Sequence, residues 1–241
     1  MKISSRVKLG VNIDHVATLR QARQEADPDL LAAAQVCRQA GASAVIVHLR
    51  RDRRHVQDED LRKLCAAKGA VYLEISSEPA MVAAALRAGP ESVCLVPERP
   101  GEVTTEGGLN LAKSGRAVAA AAKRLKAKGL GVSLFIDPEA AGVRAAKGLG
   151  ADTVEFCTTA YCAARGQKAA AQELERLELA SYLAYEMGLA VHAGHGLGYH
   201  NVKPVADIPH LDCLNIGFSI VARSVFVGLK AAVSEMKELV S

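Results

Sequence analysis

The strongest constraint on this chain is a pattern repeated eight times along its length. A short apolar run rich in β-branched residues is followed by a longer stretch with helical character. The runs are Lys8 to Asp14, Ala44 to Leu49, Ala70 to Ile75, Ser92 to Pro97, Leu130 to Asp137, Asp152 to Cys157, Leu189 to Ala193 and Asp212 to Gly217. Each is bounded by Gly, Asp or Pro and is apolar almost throughout, as expected of a parallel strand covered on both faces. Helices are expected over Leu30 to Gln39, Glu78 to Arg87, Arg116 to Lys128, Glu139 to Lys147, Lys168 to Met187 and Val221 to Leu239. Gly41, Gly89, Gly129, Gly150 and Gly188 each stand just before a strand, where glycine ends a helix in the left-handed conformation.

Strands alternating with helices imply a parallel sheet. Eight units in 241 residues favour a closed (β/α)8 barrel, an α/β fold of about 250 residues, read as one domain over residues 1–241. An open doubly wound sheet is the rival. No GxGxxG follows the first strand, which counts against a dinucleotide-binding version of it. Composition agrees with a barrel. Half the residues are hydrophobic, only 4% are aromatic and Trp is absent, so an aliphatic core with branched side chains layered inside the barrel is expected.

The net charge of +4 comes from 30 basic and 26 acidic residues without a long basic run. Nucleic acid is therefore not an expected partner, while anionic small molecules fit. Six cysteines form no CxxC pair and read as buried reduced thiols. No signal peptide is evident at the start of the chain. No apolar stretch approaches the ~20 residues that span a bilayer, so a cytoplasmic protein without membrane contact is expected.

In a barrel the chemistry gathers at the C-terminal ends of the strands. Those ends carry Asn12, Asp14 and His15; His48, Arg50 and a basic run to His55; Glu74; Glu98 and Thr104; Asp137; Glu155; and His195. Taken singly, each has a bland reading. His48 reads as a hydrogen-bonded core histidine, Glu74 as a carboxylate paired to arginine, and Asp14 and Asp137 as helix caps. Jointly, His48, Glu74 and His195 would point from three strands into one mouth. Gly194-His195-Gly196-Leu197-Gly198 and Gly217-Phe218-Ser219 suit phosphate, because glycine exposes backbone N–H groups and a helix start adds its dipole. Arg20, Arg23 and Arg50 to Arg54 are either a solvated basic rim or grips for further phosphate. No lysine ends a strand, which disfavours a Schiff-base lysine. The loop Pro97 to Asn110 is the candidate lid.

Gly10-Val11-Asn12-Ile13-Asp14-His15-Val16-Ala17-Thr18-Leu19-Arg20 resembles the opening motif of the pyridoxine 5′-phosphate synthase family. Further motifs of the family are matched at Val47 to His55, Leu95 to Glu98, Glu102 to Leu109 and Ala193 to Leu197. The resemblance implies condensation of 3-amino-2-oxopropyl phosphate with 1-deoxy-D-xylulose 5-phosphate, with no redox or organic cofactor, no metal, and a homo-oligomer, usually an octamer. It implies His48 and Glu74 as proton acceptors and His195 as proton donor. Asn12, Arg23 and Gly196 would contact the amino-ketone phosphate. Asp14, His15, Arg50, His55 and Thr104 would contact the deoxyxylulose phosphate, with Gly217 and Phe218 in the phosphate loop. Phe218 stands where the family usually has His, Gly198 where Thr is frequent, and Cys157 and Thr159 are atypical. Two rivals stay open. One is a metal-dependent aldolase or epimerase using His15, His48, Glu74 and His195. The other is a non-catalytic binding barrel.

Overall fold

The eight strands pair in chain order, all parallel, and the eighth closes on the first. The structure, a computed structural model, describes residues 7–99, 101, 102, 105 and 107–241. Thr104 lies outside the described residues. The strands are β1 Lys8–Asn12, β2 Ala44–His48, β3 Val71–Ile75, β4 Ser92–Leu95, β5 Gly131–Ile136, β6 Thr153–Cys157, β7 Ala190–Gly194 and β8 Cys213–Ile216. Every sequence-expected strand is present, within a few residues at its ends.

Side chains alternate across each strand. Outward positions such as Leu9, Val11, Val45, Val47, Leu73, Leu134, Phe156 and Val191 are buried against the helices in one continuous core. Each fully buried aliphatic side chain contributes roughly 1.5–3 kcal/mol, so the sheet–helix layer holds most of the stability. The inward positions differ from the expectation. The barrel is not filled with branched residues; it holds Asn12, His48, Glu74, Ser133, Glu155, His192 and Asn215. Cys94, Val96, Phe135 and Cys157 form a small separate apolar cluster. Composition could not distinguish the two faces, because nearly all the aliphatic residues fit in the outer layer; Ile46, which lines the interior cavity, is an exception.

Among the described residues eleven helices surround the barrel: α1 Asp14–Gln21, α2 Leu30–Gln39, α3 Asp58–Ala66, α4 Pro79–Ala88, α5 Leu111–Lys126, α6 Ala140–Gly148, α7 Thr159–Ala163, α8 Gln167–Glu186, α9 Val202–Ala206, α10 Phe218–Val227 and α11 Leu229–Leu239. Six of them depart from the sequence reading. The expected helix Val221 to Leu239 is two, broken at Gly228 with φ 82°. Helix α1 follows β1 after one residue, and α7 and α9 are single short turns after β6 and β7. Helix α3 begins just beyond the basic run that ends at His55, where no helix was expected; Gln57 and Asp60 form a reciprocal cap there, satisfying two free N–H groups at the helix start.

Two aspartates read as possible caps have other duties. Asp137 caps no helix: the N-cap of α6 is Glu139, and Asp137 Oδ1 instead accepts the Gly108 N–H at 2.9 Å. That bond ties the loop after β4 to the end of β5. A side chain at Gly108 would collide with the backbone of Ile136 and Asp137, so only glycine lets the loop lie this close. Asp14 opens α1 but turns into the barrel mouth.

Candidate active site

The mouth is built from adjacent strand ends. β2 and β3 pair with His48 directly opposite Glu74, so two neighbouring inward positions meet. His48 Nδ1 lies 3.7 Å from Glu74 Oε2, and no arginine pairs with Glu74 among the described residues. Asp14 Oδ1 accepts the backbone N–H of His48 at 2.8 Å. Its Oδ2 accepts from Asn12 Nδ2 at 2.9 Å, and Asn12 Oδ1 accepts the Asp14 N–H at 2.9 Å. The first strand therefore fixes the position of the second strand's histidine. His48 Nε2 is buried and has no partner, an unmet hydrogen-bonding capacity that a substrate can fill.

Burial governs the protonation of this cluster. Desolvation pushes His48 down to about 3, helped by the charges of His55 and Arg50, so its imidazole is neutral near pH 7. Burial lowers His15 and His195. It takes His55 to about 4, and the Val56 N–H donates to His55 Nδ1 at 2.9 Å, leaving the ring proton on Nε2. The acids move the other way. Burial lifts Asp14 to about 7, against the hydrogen bonds from His48 and Asn12. Glu74 rises well above the usual carboxylate range through desolvation and the nearby Glu155 and Asp14. Glu155 is raised to about 7 by burial, with the hydrogen bond from Asn215 opposing.

Glu155 sits deeper, on β6, and Asn215 Nδ2 from β8 donates to its Oε2 at 2.8 Å. A cavity at the heart of the barrel is lined by Glu74, Glu155, Ser133, Asn215, Tyr72 and His192 among others. Near its base Tyr72 and His192 stack, with ring centres 5.9 Å apart. Glu155 stood out in the sequence only as one polar residue in an apolar strand. Its partner is sixty positions away, and register alone brings them together.

His195 follows β7 on another side of the mouth. No hydrogen bond or ring contact joins it to His48 or Glu74 among the described residues; its ring lies 6.3 Å from Phe135. Gly194 beside it packs on Glu155, whose Oε1 would stand 2.9 Å from a Cβ there. His195 has φ 79°, a conformation costly for a residue with a side chain. The Thr158 hydroxyl holds it by donating to the carbonyls of Gly194 and His195, at 2.9 and 2.6 Å.

The glycine loops after β7 and β8 are joined by Ser219 Oγ, which donates to Leu197 O at 2.8 Å. Gly217 precedes α10, and a Cβ on it would stand 2.9 Å from Asn12 Cβ. Phe218 is 71% exposed, its ring edge-on to His15 at 5.3 Å. Gly196, in the loop after β7, is exposed.

The arginines divide. Arg20 is buried and grips Asp60 through two bonds of 2.6 and 2.7 Å; it anchors α1 to α3 and is not a phosphate ligand. Arg53 pairs with Asp58 and Arg51 with Glu78 and Glu98. Arg23 is exposed on the turn after α1 and has no ion pair among the described residues. Arg50 is enclosed and faces a rim cavity of about 330 Å³, lined also by Arg51, Arg54 and Arg99 and by the carboxylates of Asp52 and Glu98.

A closed (β/α)8 barrel whose mouth gathers buried histidines and carboxyl groups beside glycine-rich loops is the architecture of an enzyme. Residues 9–241 match the family described as pyridoxal phosphate biosynthesis protein PdxJ, and the chain belongs to that family. It is 53% identical over 236 residues to pyridoxine 5′-phosphate synthase of Elusimicrobium minutum, covering 97% of this chain and 98% of that one. It is 49% identical over 234 residues to the protein of the same name from Geobacter sulfurreducens, covering 97% and 98%. Among solved structures, a 4-hydroxy-2-oxoglutarate aldolase/2-deydro-3-deoxyphosphogluconate aldolase from TTHB1 aligns with TM-score 0.65 at 18% identity, covering 97% of this chain and 94% of that one. Phosphoribosyl anthranilate isomerase from Thermus thermophilus aligns at 0.59 and 12%, covering 97% and 98%. These two likenesses establish the barrel and nothing finer.

Proposed function

We propose that this chain is a pyridoxine 5′-phosphate synthase, joining 3-amino-2-oxopropyl phosphate to 1-deoxy-D-xylulose 5-phosphate and releasing phosphate and water as the pyridine ring closes. The observation that carries the reading is the His48–Glu74 pair, at 3.7 Å, in a chain of this family. Imine formation between the substrates needs no enzyme amine; elimination and ring closure need a group that takes a proton and gives it back. A buried neutral imidazole beside a carboxyl with a raised pKa can hold one proton between them and release it to either side. His48 and Glu74 are the acceptors in this scheme, and His195, from another side of the mouth, is the donor to the leaving oxygen.

Asn12, Gly196, Gly217 and the Phe218 main chain, with Arg23, bind the amino-ketone phosphate. Asp14, His15, Arg50, His55 and Thr104 bind the ketose phosphate. Glu155, bonded to Asn215 and close enough to raise Glu74, steadies the proton on the pair. A homo-oligomer, an octamer by family likeness, and a cytoplasmic location complete the proposal. No helix among the described residues is long and apolar enough to cross a membrane.

The test mixes both substrates and follows the ultraviolet band of a pyridine ring. Glu74→Gln should lower kcat by about 10²–10⁴ with little change in either KM; full turnover in that variant would remove its role. One observation favours a second reading. A nitrogen of His48 and an oxygen each of Asp14 and Glu74 lie within 4.8 Å of one another, close enough for a divalent metal. The expected sets with His15 and His195 do not come together in this way. Ring formation that survives exhaustive chelation supports the acid–base reading, and loss restored by a divalent ion supports the other.

A further inference from the structure

The loop after β4 reaches across the rim to Arg50. The Arg50 side chain is only 4% exposed, yet its contacts are long: Nε lies 3.5 Å from Asp52 Oδ1 and Nη1 lies 3.6 Å from Glu102 Oε1. Among the described residues Arg50 Nε has no hydrogen-bond partner, and neither does the buried Glu102 Oε2. Buried charges held this loosely are unusual, since each unmet group keeps its desolvation cost. The neighbouring carboxylates are committed elsewhere. Asp52 Oδ2 accepts from Arg54 Nε and Nη2 at 2.8 and 2.7 Å, and Glu98 Oε1 accepts the Arg51 N–H at 2.9 Å; Glu98 Oε2 is buried without a partner among the described residues, but the ion pair of Glu98 is with Arg51 and not with Arg50. Among the described residues Glu102 has a single carboxylate hydrogen bond, from the Arg99 N–H at 3.0 Å, and that bond stays within its own loop.

We infer that Glu102 is a resident anion: its carboxylate occupies, at Arg50, the place that a phosphate oxygen of the ketose substrate takes, and it must withdraw for that substrate to bind. The inference rests on the reading of Arg50 as a phosphate ligand. A phosphate offers Arg50 two oxygens in the parallel geometry that a guanidinium prefers, which the present contacts do not achieve. Its charge repels the Glu102 carboxylate. The Glu102 carbonyl accepts from Arg54 Nη1 at 3.0 Å, so expelling the side chain changes the packing of the loop after β4 against the loop after β2. Binding is then an exchange of anions, and the measured affinity is lowered by the fraction of molecules in which Glu102 holds the site.

Glu102→Gln keeps the shape and the acceptor for the Arg99 N–H while removing the charge. Titration with inorganic phosphate by calorimetry should give a Kd at least tenfold lower than in the parent protein. The KM for the ketose phosphate should fall, while that for the amino-ketone phosphate stays put. A purely structural glutamate would show the opposite, weaker binding on substitution. Phosphate bound no more tightly by a folded Glu102→Gln protein overturns the inference. If that variant does not fold, Glu102→Asp serves, with a smaller tightening expected and unchanged or weaker binding overturning the idea. The outcomes separate from those of the functional reading: a parent protein that forms no pyridine product sinks that reading, whereas turnover without tightening sinks only the resident anion.

Discussion

Replacing Glu155 by Gln tests the electrostatics of the barrel interior with the least change of shape. Burial raises this carboxyl from its ordinary 4.5 to about 7. In the unfolded chain it loses its proton near 4.5, while in the folded barrel it keeps it to about 7. The cost of ionising it inside the fold is therefore absent below pH 4.5, grows between 4.5 and 7, and is complete above 7. At about 1.4 kcal/mol per pH unit the full cost is about 3 kcal/mol, and water entering from the mouth would reduce it. Gln carries no such cost and still offers an oxygen to Asn215. The Glu155→Gln protein should thus gain stability relative to the parent as pH rises from 5 to 8, by about 1–3 kcal/mol. Urea unfolding at fixed protein concentration, at those two pH values, measures it. The same substitution removes a charge that holds the Glu74 pKa up, so the basic group seen in kcat/KM should titrate at lower pH and turnover should fall. A stability difference that is the same at pH 5 and pH 8, or that moves toward the parent as pH rises, refutes the assignment of Glu155 as a carboxyl strained by burial.

Other substitutions separate scaffold from chemistry. Arg20→Met leaves Asp60 enclosed without its counter-charge and should cost about 3–5 kcal/mol in unfolding experiments, with catalysis preserved per folded molecule. Gly217→Ala pushes a methyl against Asn12, which positions Asp14; overpacking of about 1–3 kcal/mol should appear as weaker phosphate binding in calorimetry. Phe218→Ala should leave phosphate affinity within about twofold, because a loss of less than 0.5 kcal/mol is expected where an exposed side chain is trimmed; a tenfold loss would assign the ring a binding role.

The eight strands were legible because buried parallel strands write themselves as apolar runs, and the rim residues because polar groups at the ends of such runs have few structural excuses. What escaped had physical causes. Helix α1 begins one residue after β1 and is mostly polar, so Asp14–Gln21 looks like a loop that happens to contain Val16 and Ala17. The break at Gly228 is a single glycine in an otherwise helical stretch. Arg20 read equally well as a phosphate ligand, since its partner Asp60 is forty residues on. The Glu155–Asn215 bond and the polar interior needed the strand register, which a list of runs does not contain. Of the expected site, His48, Glu74 and Asp14 are adjacent, while His195 stands apart from the pair across the mouth.

The left-handed backbone at His195 has a consequence for lineage as well as for mechanism. An L side chain leaves that region of conformational space when it is free to, so the imidazole stays there against a steady pull toward glycine. A descendant relieved of selection for turnover would be expected to lose this histidine early, becoming sturdier as it became inert.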